Sequence, residues 1–293
     1  MSDLRSEEGE RCFRLVLEYE GTDFEGWQAQ KGPRSARTVQ AVLAEALESI
    51  VGRPGRLRGA GRTDAGVHAL GQVASLRVAT GLAPEALLRA LNARLPADVA
   101  VREMAEVPLD WDALREARSK HYRYQIWNGR RRSPLRAARW HWVREPLDRV
   151  AMQSAAGVLE GRHDFAAFQG TGSSVRTTVR TLESLQVEGR TGAEIRLEVQ
   201  GEGFLRHMVR NLAGTLIEVG RGRWGPERVA GILASRDRAQ AGPTAPALGL
   251  VLVAVRDSWS EGEVGRGAES GEGASDGPPE RRVDDVDEGD PVG

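Results

Sequence analysis

Residues 59 to 72 read Gly-Ala-Gly-Arg-Thr-Asp-Ala-Gly-Val-His-Ala-Leu-Gly-Gln. Gly59, Gly61, Gly66 and Gly71 surround a compact polar set, Arg62, Thr63, Asp64 and His68. Glycine at this density makes poor helix or strand and marks a chain that needs unusual dihedrals or a close approach to a ligand. Apolar residues 50–51 precede the segment and 73–78 follow it, which suits a reactive loop mounted on rigid elements. Asp64 would then be a carboxylate whose charged form Arg62, two residues away, favours. The same composition also suits a tight turn with an aspartate cap.

Other templates fail. Gly59-x-Gly61 followed by Gly66 is not Gly-x-Gly-x-x-Gly, so the dinucleotide fingerprint is absent. A P-loop needs Gly-Lys-Ser/Thr, whereas Lys31 and Lys120 are followed by Gly32 and His121. Asp64 and His68 would share a face of a helix and offer two metal ligands, but no third clusters with them, so no metal is expected.

Gly61-Arg62-Thr63-Asp64-Ala65-Gly66-Val67-His68-Ala69 closely resembles the signature of the tRNA pseudouridine synthase A family. Further stretches support the resemblance in order: Glu18-Tyr19-Glu20-Gly21-Thr22 with Gly26-Trp27-Gln28, Thr38-Val39-Gln40, Asn92-Ala93-Arg94-Leu95-Pro96, Tyr122-Arg123-Tyr124, His163-Asp164-Phe165, and Phe204-Leu205-Arg206-His207-Met208-Val209-Arg210-Asn211. It covers residues 11 to 256. The resemblance implies that Asp64 is the catalytic aspartate and that Tyr122 stacks on the target base and takes part in proton transfer from C5. It makes Arg210 the basic partner of the aspartate and Leu250 an apolar neighbour of the site. Arg206, four residues before Arg210 and on the same face of a helix, competes for the basic role. Arg62 is expected beside Asp64, expelling the base from its stack or holding phosphate, and His68 is assigned to loop structure. The implied substrate is uridine at positions 38, 39 and 40 of the tRNA anticodon stem-loop, and the implied assembly is a homodimer whose subunits share one tRNA.

Pseudouridylation breaks the bond from uracil N1 to ribose C1′, turns the base and rejoins C1′ to C5. The product is an isomer, so no cofactor is expected. The site needs a carboxylate, a cation to hold it, an aromatic stacking surface, and a base flipped out of its helix. Glycosidases use two carboxylates because water and a leaving group must both be activated. Here the leaving base stays bound and one carboxylate suffices. Attack at C1′, attack at C6 and proton abstraction from the sugar all remain open for Asp64.

The elements that must carry these groups are legible as periodicity. A strand is expected over 13–20, a helix over 39–50 capped by Thr38, strands near 56–60, 73–78 and 99–107, and a helix over 85–93 opened by Pro84. The second half repeats the order, with strands over 121–127, 182–187, 194–199 and 248–255 and helices over 147–159, 204–219 and 226–234. Each half reads β-α-β-β-α-β, the ferredoxin-like unit. The expected fold is α+β: two such halves, 11–108 and 109–257, with a cleft between them, their sheets joining into one mostly antiparallel sheet as the resemblance implies.

The chain has 293 residues, one cysteine and a net charge of −1. One cysteine rules out a disulfide framework and a cysteine-rich zinc site. No apolar run is long enough to span a membrane, and the polar start lacks a signal core, so a cytoplasmic protein is expected. Residues 257–293 hold 12 acidic and 3 basic residues, which leaves 38 basic and 30 acidic residues in 1–256. A cationic body fits a nucleic-acid partner. Arg130, Arg131, Arg132, Arg136 and Arg139, interleaved with Trp127, Trp140 and Trp142, suggest an RNA-facing surface. Residues 1–10 read as a disordered leader. Residues 258–293 read as an acidic disordered tail that competes with RNA for the cleft. Rival readings are a non-catalytic RNA-binding protein on this fold, a synthase with a different RNA target, and a carboxylate-dependent glycoside hydrolase, which would need a second acid near Asp64.

Overall fold

Apolar residues in and after Phe13 alternate with polar ones, and strand β1 (Glu10–Tyr19) is the result. The structure is a computed structural model that describes residues 9–29, 36–172 and 175–260. Residues 1–8 of the expected leader, residues 30–35, residues 173–174 and residues 261–293 of the expected acidic tail lie outside the described residues. Met1–Ser258 forms one unit by its internal contacts, and the strands, the helices and the site all belong to it.

Thr38 caps α1 (Val39–Val51), its Oγ1 accepting from the Ala41 amide at 3.3 Å, and Gly52 ends the helix with φ 71°. Val39, Leu43, Ala46 and Leu47 form the buried stripe of α1. Next come β2 (Arg56–Gly59), β3 (His68–Ala79), α2 (Pro84–Asn92), which the expected proline opens, and β4 (Val99–Val107). After the short α3 (Ala113–Glu116), the order repeats: β5 (Ala117–Trp127), β6 (His141–Trp142), α4 (Arg149–Gly157), β7 (Gly161–Asp164), β8 (Val179–Gly189), β9 (Glu194–Gly201), α5 (Met208–Gly220), α6 (Arg228–Ser235) and β10 (Leu250–Asp257).

All strands join one sheet in the order β4-β1-β3-β10-β5-β9-β8-β7, with β2 on β3 and β6 on β5. Among the described residues, only β10 with β3 and β6 with β5 pair in parallel. The fold is thus α+β with a largely antiparallel sheet. Its two runs are β1-α1-β2-β3-α2-β4 and β5-α4-β8-β9-α5-β10, with β6, β7 and α6 added to the second.

The two runs meet at a narrow parallel seam, Val251 beside His68 and Leu252 beside Ala69. This seam corrects the expected loop. Residues 68–72 are strand rather than loop, because Ala69 pairs with Tyr19 and Gln72 with Leu17 of β1, and these ladder bonds outweigh the poor strand propensity of Gly71. The connection between β2 and β3 therefore spans only residues 60–67, and it ends where β10 begins.

Candidate active site

The 60–67 loop is held from several sides. Thr63 Oγ1 meets the Tyr19 hydroxyl at 2.8 Å, and the Thr63 carbonyl accepts from the Trp27 amide at 3.1 Å. The Gly66 amide donates to the Phe24 carbonyl at 3.1 Å, and Gln72 Nε2 donates to the Gly61 carbonyl at 3.1 Å. Gly26 runs at φ 94°, and a Cβ there would stand 2.6 Å from the Thr63 carbonyl, so a residue without a side chain is required for this approach. Trp27 is wholly buried and contributes apolar burial of roughly 1.5–3 kcal/mol. Burial pushes the Tyr19 hydroxyl up to about 12, so it stays a neutral hydrogen-bonding group. With its backbone fixed this way, Asp64 presents a side chain 34% exposed to a cleft of about 1530 Å³.

The second half supplies the facing group. His207 adopts φ 58° and ψ 5°, a left-handed conformation that histidine enters more readily than most residues. An α-helix cannot pass through that conformation, so α5 starts at Met208 and the expected helix over 204–219 loses its first four residues. Arg210 then falls in the first turn, and it is the one residue of α5 that is not buried. Its Nε donates to the Ala245 carbonyl at 2.8 Å, which aims the guanidinium. Arg210 Nη1 stands 3.7 Å from Asp64 Oδ2, and His207 Nε2 stands 3.6 Å from the same oxygen. The positive end of the helix dipole favours a carboxylate at this end of α5.

Tyr122 on β5 completes the wall. Its ring meets Phe204 edge to face, with centroids 5.1 Å apart and planes at 83°. Burial, reinforced by Tyr19 and Asp64, pushes the Tyr122 hydroxyl well above the usual tyrosine range. Leu250, at the start of β10, is 6% exposed and lines the same cleft. Tyr124, two residues beyond Tyr122, is a core aromatic whose hydroxyl donates to the Pro246 carbonyl at 2.9 Å.

Asp64, Arg62, Tyr122, Arg206, Arg210 and Leu250, far apart in sequence, thus line one cleft. Two expected relations change. Arg62 is exposed and makes no ion pair with Asp64; the cation at the carboxylate is Arg210. Arg206 shares no helix face with Arg210, because His207 breaks the helix between them. Its Nη1 instead donates to the carbonyls of Thr171 at 3.0 Å and Gly172 at 3.4 Å. His68 stitches the seam: Nδ1 accepts from the Gly21 amide at 3.0 Å, which leaves Nε2 to donate to the Leu248 carbonyl at 3.1 Å. The tryptophan–arginine stretch divides. Arg136 stacks on Trp127 at 4.6 Å and pairs with Glu194 at 2.6 Å, while Arg130, Arg131, Arg132 and Arg139 stay exposed. Among the described residues, no group of three or more His, Cys, Asp or Glu is placed to hold a metal, and no helix is long and apolar enough to cross a membrane.

Sequence reasoning assigned no role to His207 or Phe204. Both line the cleft at the left-handed turn that precedes α5, and no periodicity signals that turn.

The sequence matches a family model described as tRNA pseudouridine synthase over residues 15–114 and 155–256. Asp64, Arg206, Arg210 and Leu250 fall in those spans, and Tyr122 falls between them. The chain is 46% identical over 246 residues to a tRNA pseudouridine synthase A of Geotalea uraniireducens, covering 84% of this chain and 99% of the relative. It is 48% identical to one of Pelobacter propionicus with the same coverage, and 50% identical over 244 residues to one of Myxococcus xanthus, covering 83% and 90%.

Proposed function

Since the chain belongs to the tRNA pseudouridine synthase family, and is thereby an isomerase that acts on tRNA, we propose that it converts uridines 38, 39 and 40 of the anticodon stem-loop to pseudouridine with Asp64 as nucleophile. The observation that carries the role of Asp64 is its carboxylate facing Arg210 at 3.7 Å across a cleft that Tyr122 also lines. The family resemblance supports the choice of uridines, a homodimer that shares one tRNA, and work in the cytoplasm.

Each group has a task that follows from its setting. A uridine flipped from its stack enters beside the Tyr122 ring, where stacking is worth on the order of 1–3 kcal/mol. Arg210 holds the Asp64 carboxylate aimed at the ribose, and Leu250 keeps water from the apolar side. As the N1–C1′ bond breaks, the uracil leaves with the bonding pair but stays stacked and turns to present C5. Arg62 and Arg206 at the cleft lining suit phosphate contacts, which set position rather than sequence.

The test is an isomerisation assay on an unmodified tRNA transcript with uridines at 38 to 40, mapping pseudouridine by site for native protein and Asp64→Asn. Product at those sites, lost with the substitution, supports the reading. Tight binding without product from native protein replaces it with a non-catalytic RNA-binding module, and product at other uridines changes the target.

A further inference from the structure

The isomerisation ends with a proton transfer to which the neighbours of Asp64 are not equally suited. When C5 joins C1′, C5 carries both its hydrogen and the new bond. The hydrogen therefore sits one atom from the carbon that Asp64 faces, and its acceptor must stand beside that carboxylate. Tyr122 is handicapped: burial and the charge of Asp64 disfavour its phenolate, the form that accepts a proton. Asp64 itself is held by Arg210.

We propose that His207 takes the C5 proton at Nε2, making it a second reacting group of this site. The proposal rests on the reading of Asp64 as the residue at the ribose. His207 Nε2 lies 3.6 Å from Asp64 Oδ2 and borders the same cleft. Its position is built rather than incidental. The backbone at His207 is left-handed, one of only two non-glycine positive φ angles among the described residues. The ring also packs close to Gly170, where an added Cβ would come within 2.7 Å of Nδ1. Facing the imidazole are Asp64 from the loop, Arg206 and Arg210 from either side of the helix start, and Arg238 from the short turn after α6. Burial lowers its proton affinity, Asp64 pulls it back up, and the three arginines lower it again; the result lies below the ordinary histidine value. The imidazole is accordingly a free base at neutral pH, the form that general-base work requires.

The step balances. The C5–H bond breaks and its pair becomes the C5=C6 double bond. The C6=N1 pair returns to N1, which takes up a proton. Net, one proton moves from C5 to N1 with the imidazole as carrier, and no oxidant or co-reactant enters.

The experiment compares native protein, His207→Asn and His207→Gly on tRNA transcripts carrying protium or deuterium at uridine C5. Both replacements accept a left-handed backbone, so the fold is spared. The expected result is transcript affinity within about two-fold of native and turnover lower by about 100-fold or more, the range for losing a general base. C5 deuterium should slow His207→Asn further, and added imidazole should restore part of the His207→Gly turnover. Native-like turnover overturns the proposal. So does slow turnover without an isotope effect, which would make His207 a positioning residue only. Absence of pseudouridine from the native reaction sinks the functional assignment instead, so the two failures are distinguishable.

Discussion

The two halves share an element order yet spend it on different things. In the first half, β2 and β3 are joined by the 60–67 loop, which holds Asp64 and is hydrogen-bonded to Tyr19, Phe24, Trp27 and Gln72. The matching connection in the second half, between β8 and β9, is a tight turn over residues 190–193, closed by the Arg190 amide on the Glu194 carbonyl at 3.0 Å. The second helices reverse the contrast. α2 is short, lacks a side-chain cap and buries only Leu87 and Leu91. α5 is buried almost throughout and points its first turn, with His207 and Arg210, at Asp64. Each half thus elaborates a different one of its equivalent connections, and the seam between β3 and β10 brings the two together.

The contrast is broken most sharply at the loop. Asp64→Asn keeps the shape and removes the charge, and turnover should fall by about 10³-fold or more, at least about 4 kcal/mol of transition-state stabilisation. Thermal unfolding should shift little, since the side chain faces the cleft. Single-turnover kinetics on tRNA transcript beside a melting curve would check both. At the helix, Arg210→Met should cost about 10²-fold in turnover, the scale of removing one preorganised charge-stabilising group. The Tyr122 ring comes next. Tyr122→Phe keeps the stacking face and Tyr122→Ala removes it, so loss of about 1–3 kcal/mol of transcript binding is expected for alanine only. Equal loss for both would move the role of Tyr122 from its ring to its hydroxyl.

The sequence makes the first half more legible than the second, for a physical reason. Thr38 and Pro84 are local signals, and α1 and α2 begin where such signals place them. The Asp64 loop is legible because its glycines and charges sit within a few residues of each other. α5 is buried nearly all round, so its apolar run has no clear start, and the apolar residues Phe204 and Leu205 before it read as more helix. Only the left-handed turn at His207 sets the true start, and sequence encodes that as a modest preference. The expected Arg62–Asp64 partnership failed similarly: adjacency in sequence suggested a pair, while the pairing is made across the seam by Arg210.

The β8–β9 turn should answer to substitution in the opposite way from the loop. Gly189 has φ 96°, and an added Cβ would collide with the Glu194 carbonyl. Gly189→Ala should therefore destabilise the fold by about 2–3 kcal/mol through strain, with turnover of the folded fraction unchanged. A loss of turnover beyond the unfolded fraction would show that the turn communicates with the cleft.

The smallest effect belongs to acid. His141, on the short β6 strand, meets Tyr124 edge to face and has a buried Nδ1 without a hydrogen-bond partner. Burial, then the charge of Arg221, lowers it from 6.5 to about 4. The folded chain thus holds the neutral ring, and the unfolded chain binds the extra proton first. Stability is full above about 6.5 and is lost as pH falls from there toward 4, by about 1–2 kcal/mol at pH 5 for one such group. His141→Phe fills the same space without a titrating nitrogen, so its denaturation midpoint should fall less than that of the native protein between pH 7 and 5. His141 does not line the cleft, so turnover at neutral pH should be unchanged. Equal acid sensitivity in the two proteins would assign the loss to other groups, with buried His68 at the seam next in line, its imidazole likewise lowered chiefly by burial.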